Sequence, residues 1–326
     1  MEETACIFCK IPSDHVVIEE NGYKGKKCSQ CGLIYISPRP SLEDVANLYG
    51  HNQAHLSAES HISGAYRKRL YARHHLGIIR PFVRGGAVLE IGAGAGYFLD
   101  EARKLGFSPY GLEFNPIQAN FIRNTLHIPC EQSALNTSLF EGRKFEVVYL
   151  CDVISHFFDP ISEFRNINAV MANHSYLIFE TGNFGEVDPI HFKRIRRFQY
   201  PDHIFFFSTA NLLRLLEETG FEFVRLYRYS IVPEFLILRI LSAAKDLTRS
   251  AVGKSGYKPV LSSKESPLKY LPTAVPDSVH SPSAFKEIVR NTASYINYVF
   301  RYQVGRIAPK AGRPQTLIVI AKKKSG

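Results

Sequence analysis

Val88-Leu89-Glu90-Ile91-Gly92-Ala93-Gly94-Ala95-Gly96 is the stretch that decides the fold of this chain. A short apolar run, interrupted by one acidic residue, is what a strand buried on both faces of a parallel sheet needs. Three glycines at alternate positions follow at once. They let the chain turn sharply and let a ligand approach the backbone without meeting a Cβ. Tyr97 to Leu105 then reads as a helix, which completes a strand, Gly-rich turn and helix. Such a unit places a nucleotide-like ligand at the carboxyl end of the first strand of a doubly wound α/β sheet.

The glycine spacing separates two nucleotide sites. A dinucleotide site wants Gly-x-Gly-x-x-Gly, whereas this chain has Gly-x-Gly-x-Gly with Glu90 inside the strand end. A second acidic residue, Glu113, ends the next apolar run (Tyr110-Gly111-Leu112-Glu113), 23 positions after Glu90. That is about the distance, roughly 20 residues, at which a carboxylate meets ribose hydroxyls. This pattern resembles the first motif of class I S-adenosylmethionine (SAM) methyltransferases. A Gly-rich turn in some other α/β protein, with Glu113 merely exposed, is the alternative. The resemblance implies that Gly92, Gly94 and Gly96 shape the loop against the amino-acid moiety of SAM, and that Glu90 binds through the loop or the cofactor's amino group. It assigns the ribose hydroxyls to Glu113 and the adenine face to Phe114. Gln132 and Ser133 are expected at the adenine edge, and the Cys151 backbone at the floor.

Four of the six cysteines form Cys6-x2-Cys9 and Cys28-x2-Cys31. Each pair can bite one metal, and the intervening segment is long enough for a hairpin that joins the pairs. The spacing reads as a tetrahedral four-thiolate zinc ribbon, structural because four thiolates leave no open position. A pair of disulfides is the competing reading and suits a secreted chain. Cys130 and Cys151 fall in expected strands and read as buried thiols.

The 326 residues are 45% apolar and 21% charged, which describes a globular chain rather than a disordered one. Met1-Glu2-Glu3 is acidic where a signal peptide needs a basic start, and no run of ~18 apolar residues occurs, so a cytoplasmic location is expected, with peripheral contact at the inner membrane surface as an added option. The net charge of +10 is unevenly spread: from Pro233 onward there are 16 Lys and Arg against 5 Asp and Glu. Either an anionic surface or partner for that region, or an ordinary solvated basic face, accounts for the asymmetry.

The expected organisation is a ribbon over 1–38, a helical linker over 39–84, a core over 85–229, an insertion over 230–314, and a last strand with a basic tail over 315–326. Ser41-Leu42-Glu43-Asp44 has the form of a helix start, and Ala65 to Val83 that of an amphipathic helix. Its histidines and a preceding one (His61, His74, His75) read as surface or packing groups. Core strands are expected at Ala87–Ile91, Pro109–Glu113, Ile128–Gln132, Phe145–Cys151, Ser175–Glu180, Phe221–Tyr229 and Thr316–Ala321. This predicts a Rossmann-like α/β sheet of seven strands, with the last two antiparallel at one edge. In the insertion, 231–250 is an apolar helix with a basic end, suited to a membrane interface or to capping the cleft. Gly253 to Pro282 is rich in Ser, Pro and Lys, and Ala284 to Val304 is helical again.

The segment Phe145 to Pro160 resembles the fourth-strand block of ubiquinone-biosynthesis-type methyltransferases. Those commonly carry Glu-His where this chain has Ser155-His156, so any role of that Glu is in question here. Tyr200-Pro201-Asp202-His203, together with the four-cysteine ribbon, resembles deoxysugar C-methyltransferases, in which a Tyr-x2-His pair flanks the sugar. The resemblance implies His203 as the base, Tyr200 as its orienter or second donor, and His156 as the second candidate. The sugar enzymes carry a further α/β domain where this chain has its basic insertion.

The expected function is SAM-dependent methylation of a small-molecule or lipid-linked acceptor, a sugar or glycan. Contact with a membrane through 231–250 and the basic tail is a further expectation. A nucleic-acid methyltransferase is the alternative, weakened because no Asn/Asp-Pro-Pro-Tyr/Phe signature follows the fourth strand. A non-catalytic SAM-fold binding module is the other.

Overall fold

The computed structural model describes residues 1–41, 58–59, 61–192, 198–237, 240 and 284–324. Three short strands open the chain: β1 (Val16–Glu20), β2 (Tyr23–Lys27) and β3 (Ile34–Ile36). They form an antiparallel sheet whose fourth member, β9 (Phe205–Phe206), comes from far along the sequence. The sequence reading treats 1–38 as a separate unit; in the fold it is stitched to the core. Cys6, Phe8, Cys28, Leu33 and Tyr35 belong to the same buried cluster as the central sheet.

The central sheet contains β4 (Gly86–Ile91), β5 (Phe107–Leu112), β6 (Cys130–Glu131), β7 (Phe145–Cys151), β8 (Met171–Gly182), β10 (Phe221–Ser230) and β11 (Gln315–Lys323). Their spatial order is β6-β5-β4-β7-β8-β11-β10. The strands from β6 to β8 are parallel, and β11 runs antiparallel to both β8 and β10. This is the Rossmann-like seven-stranded sheet that the sequence predicts. Strand positions agree as well, with two differences at the ends. β6 shrinks to Cys130–Glu131, because Pro129 lacks an N–H for the ladder. β8 begins four residues early, at Met171, across a register shift opposite Phe145 and Val147. The polar Asn173-His174 there hides the strand from any pattern count.

Helices cover both faces. On one face lie α1 (Ala65–Ile79), α2 (Tyr97–Lys104) and α3 (Pro116–Asn124); on the other, α4 (Pro160–Val170) and α5 (Thr209–Glu218). α1 stops short of the expected Val83 because Pro81 disfavours helix at Arg80 and cannot donate. Capping residues set the others. Asn115 and Asp159 each accept two backbone N–H bonds ahead of a proline at the first helical position. Ser208 and Asn211 form a reciprocal capping box. The last helix, α6 (Ala284–Tyr298), widens into a π-helical turn over Val299–Val304. Gly305 follows, so close to β10 that a Cβ there would stand 2.6 Å from the Ser230 carbonyl oxygen. The helix starting at Ser41, the stretch 253–282 and most of 231–250 lie outside the described residues; 232–237 is helical. Among the described residues no helix is long and apolar enough to cross a membrane.

Candidate active site

β4 delivers the Gly-rich loop to the carboxyl edge of the sheet. Gly92, Gly94 and Gly96 all have positive φ (70°, 55° and 70°), a conformation that excludes most side chains. Space is as strict as torsion. A Cβ on Gly92 would sit 2.6 Å from Val153 Cγ2, and one on Gly96 2.7 Å from Ile122 Cγ1. The loop is therefore wedged between the turn after β7 and α3.

Two carboxylates frame it. Glu90 is 5% exposed, and its Oε2 is buried without a hydrogen-bond partner. Burial holds its carboxyl well above the usual range, and the Glu113 charge adds to this against Lys68. Glu113 is 8% exposed. One of its oxygens accepts from the Gly94 N–H at 2.6 Å and the other from the Asn115 N–H at 2.8 Å. It braces the loop from the end of the neighbouring strand. Phe114, half exposed, follows it. Gln132 is exposed and Ser133 half-buried just after β6, and Cys151 ends β7 beside Glu180 of β8. An orphaned buried oxygen and a cradle that a Cβ would fill suit a nucleoside ligand with an amino-acid end, as SAM is.

A second cavity, of about 140 Å³, opens beside this loop. Asp152, Ser155, Thr181, His203, Phe205 and Arg301 are among the residues that line it. Asp152 holds φ +55°, which is uncommon for an aspartate outside a turn, and burial together with Glu180 keeps its carboxyl above the ordinary range. His156 Nδ1 lies 3.0 Å from the Asp202 carbonyl oxygen and 3.1 Å from its Oδ1. A carbonyl only accepts, so Nδ1–H is the donor. The His203 ring stands edge-on to His156, 4.6 Å between centroids. Burial lowers the pKa of both imidazoles, that of His203 to about 3 with His156 contributing, and raises Asp202 to about 6. Both rings are therefore neutral at pH 7.

Tyr200 goes elsewhere. Its ring stacks on Phe206 within the ribbon's own apolar cluster, is 3% exposed, and sets its hydroxyl against Gly25, where a Cβ could not fit. The fold brings His156, Asp202 and His203 together and directs Tyr200 toward the ribbon.

Beneath the cavity runs a buried polar network that the sequence did not reveal. His75, 1% exposed, meets Glu180 at 2.7 Å through Nε2 and the Tyr149 hydroxyl through Nδ1. Tyr302 donates to Glu180 at 3.0 Å, and the Arg301 guanidinium stands 4.0 Å from the same carboxylate. His74 packs its ring on Tyr302 and reaches the Tyr229 hydroxyl. Asp152 could have been suspected from its place just past β7. Nothing in the sequence flags Arg301, because its partners come from β8 and from Glu234 near the end of β10.

In the ribbon, the Sγ atoms of Cys6, Cys9, Cys28 and Cys31 lie within 4.8 Å of one another, and Cys6 and Cys31 are 3.4 Å apart. Four sulfurs about 2.3 Å from one ion would be about 3.8 Å apart, so the cluster has the right size for zinc. No two are bonded. Asn211 of α5 donates to the Cys31 carbonyl at 2.9 Å, and Arg214 reaches the Phe8 carbonyl at 3.1 Å, which ties the knuckles to the core.

The parallel sheet of this order, its Gly-rich turn after the central strand and the acidic residue ending the next strand define a class I SAM-dependent methyltransferase. The family model described as a methyltransferase domain matches residues 64–226, half of the chain, and the chain belongs to that family. A search of curated proteins finds no match. Among solved structures, a SAM-dependent methyltransferase from Archaeoglobus fulgidus is similar at 18% identity, covering 78% of this chain and 94% of that one, with a TM-score of 0.44. Coclaurine N-methyltransferase bound to N-methylheliamine and S-adenosylhomocysteine (SAH) is similar at 12% identity, with 77% and 72% covered and a TM-score of 0.43. A mycolic acid cyclopropane synthase complexed with SAH is similar at 13% identity, with 76% and 84% covered and a TM-score of 0.45.

Proposed function

We propose that this methyltransferase acts on a small or lipid-linked acceptor, a sugar hydroxyl or an acidified sugar carbon, with His203 as base and a structural zinc in the ribbon. One observation carries the reading: the Gly-rich loop packs against the turn after β7, and that turn lines the cavity. Gly92 packs against Val153, whose neighbour Asp152 and near neighbour Ser155 line the cavity that His203 faces. An acceptor there stands next to the loop's ligand, which is the geometry that in-line methyl transfer needs.

SAM, when bound, supplies a methyl group on a sulfonium that is already a good electrophile. What remains for the protein is placement, exclusion of water and removal of the acceptor's proton. Phe205 and its neighbours give the cavity an apolar side, and Asp152, Ser155 and Thr181 offer partners for acceptor hydroxyls. A neutral His203 can take the proton. His156, oriented by Asp202, can pass it on or serve in its place. The cavity is small and lined by both polar and aromatic side chains, which suits one sugar ring or headgroup better than a splayed nucleobase with its backbone. The basic C-terminal third fits an acceptor that carries phosphate or is presented at an anionic membrane.

Two results test this reading. Glu113→Ala should weaken SAH binding by more than about tenfold in calorimetry, since it removes both the ribose acceptor and the brace of the loop. Unchanged binding would place the cofactor elsewhere. His203→Ala should lower kcat by roughly 10²–10⁴ with a deoxysugar nucleotide or other accepted substrate while leaving SAH binding intact. A kcat within a fewfold of wild type would remove His203 from the chemistry.

A further inference from the structure

The wall that faces the Gly-rich loop comes from the chain ahead of the sheet. His61 sits in a helical segment just before α1 and lies over Gly94: a Cβ built on that glycine would stand 3.1 Å from His61 Nδ1. That nitrogen is buried and has no hydrogen-bond partner. Buried polar atoms are satisfied in the great majority of cases, so an orphan aimed at a ligand loop points to the ligand as the missing partner. The segment is not loosely placed. The Tyr97 hydroxyl, one residue past Gly96, donates to the Ile62 carbonyl at 2.6 Å and holds His61 over the loop.

Lys68, a turn into α1, faces the same space. Its charge opposes protonation of His61 and favours ionisation of Glu90 and Asp152. Across the loop stands the unpartnered Oε2 of Glu90. The cleft is thus polarised, with an acceptor on the strand side and donors on the helix side. A zwitterion, ammonium toward β4 and carboxylate toward α1, is the complementary shape.

We propose that His61, backed by Lys68, binds the α-carboxylate of the cofactor's amino-acid end. The proposal rests on the assignment of SAM to this loop. A neutral imidazole can donate through Nδ1–H, so no proton need be taken up; Lys68 adds the charge. The sequence read His61 as a surface or packing group, since a lone histidine before a helix carries no signal of its own.

The test is calorimetric titration of the full-length, zinc-loaded chain with two probes. SAH carries the amino-acid end; 5′-methylthioadenosine keeps the nucleoside and thioether but lacks it. His61→Ala should weaken SAH about tenfold and leave methylthioadenosine within about twofold of wild type. His61→Asn, which keeps a donor, should recover part of the loss. Two outcomes overturn the proposal: SAH affinity unchanged in His61→Ala, or both probes weakened equally, as a merely structural residue would give. If the wild type binds neither probe, the cofactor assignment itself falls, and this inference with it.

Discussion

Replacing Cys28 by serine should lower the melting temperature of the entire chain, not only release metal from its first residues. Cys28 is 2% exposed and packs in one cluster with Leu33, Tyr35 and the apolar side chains of the central sheet. The ribbon's sheet is completed by β9, and β9 leads directly into α5. The four-cysteine knuckles therefore pack against one face of the methyltransferase domain. In isolated fingers structural zinc contributes about 10–16 kcal/mol to folding, but here the core would hold part of the structure without it. A loss of roughly 3–5 kcal/mol is expected, a fall on the order of 10 °C in a chain of this size. Circular dichroism melting beside zinc quantification by atomic emission decides the matter. Melting that stays at the wild-type temperature, in a variant that has lost its metal, would show a ribbon that is an appendage. Wild-type protein purified without zinc, yet equally stable, would dismiss the metal.

The second large effect is expected at Glu180. Replacing it by glutamine keeps the shape and removes the charge, leaving Arg301 and a hydrogen-bonded His75 around a neutral amide in a site that is 1% exposed. Breaking one partner of a buried ionic cluster costs roughly 3–5 kcal/mol. The effect carries a pH signature. Burial opposes ionisation of Glu180, but the His75 imidazole, Arg301 and the Tyr302 hydroxyl outweigh it and hold the carboxyl well below its ordinary value of 4.5. A depressed folded-state pKa means that the charged form stabilises the fold. That contribution is complete above the ordinary carboxylate range and is lost as the pH falls through the folded value. Urea denaturation should then show wild type and Glu180→Gln far apart at pH 7 and converging below pH ~4. A constant gap across that range would mean that the glutamate acts by packing alone.

Glu180 also shows why the lower half of the site was hidden. Its strand, β8, was legible from Tyr176-Leu177-Ile178-Phe179, four residues no loop would carry together. Its neighbours were not. His75 arrives from α1, Tyr149 from β7, and Arg301 and Tyr302 from the π-helical turn near the C-terminus. No local pattern links residues that lie from 31 to 122 positions away from Glu180, and burial of four polar side chains in one place runs against hydropathy. The upper half was different. Gly92, Gly94, Gly96, Glu90 and Glu113 were all visible, because a ligand approaching backbone forces a local composition: glycines where φ is positive, an acid at a strand end. The acceptor side falls between these cases. His203 and His156 were singled out separately, and the fold sets their rings side by side, with Asp202 supplying the link. Tyr200 was grouped with them on the resemblance carried by the Tyr-x2-His spacing, yet the turn between Tyr200 and His203 sends its ring to the ribbon.

From the sequence alone came the sheet, its Gly-rich loop, the four-thiolate knuckles and the class of ligand, since each is written in periodicity or spacing over fewer than about thirty residues. The tertiary structure alone decided three things: that the ribbon is continuous with the core, that the π-helical turn after α6 brings Arg301 to the cavity beside Asp152, and that His61 stands over the Gly-rich loop. Each depends on which surfaces meet when distant segments bury their apolar faces, and that is a property of packing in three dimensions rather than of order along the chain.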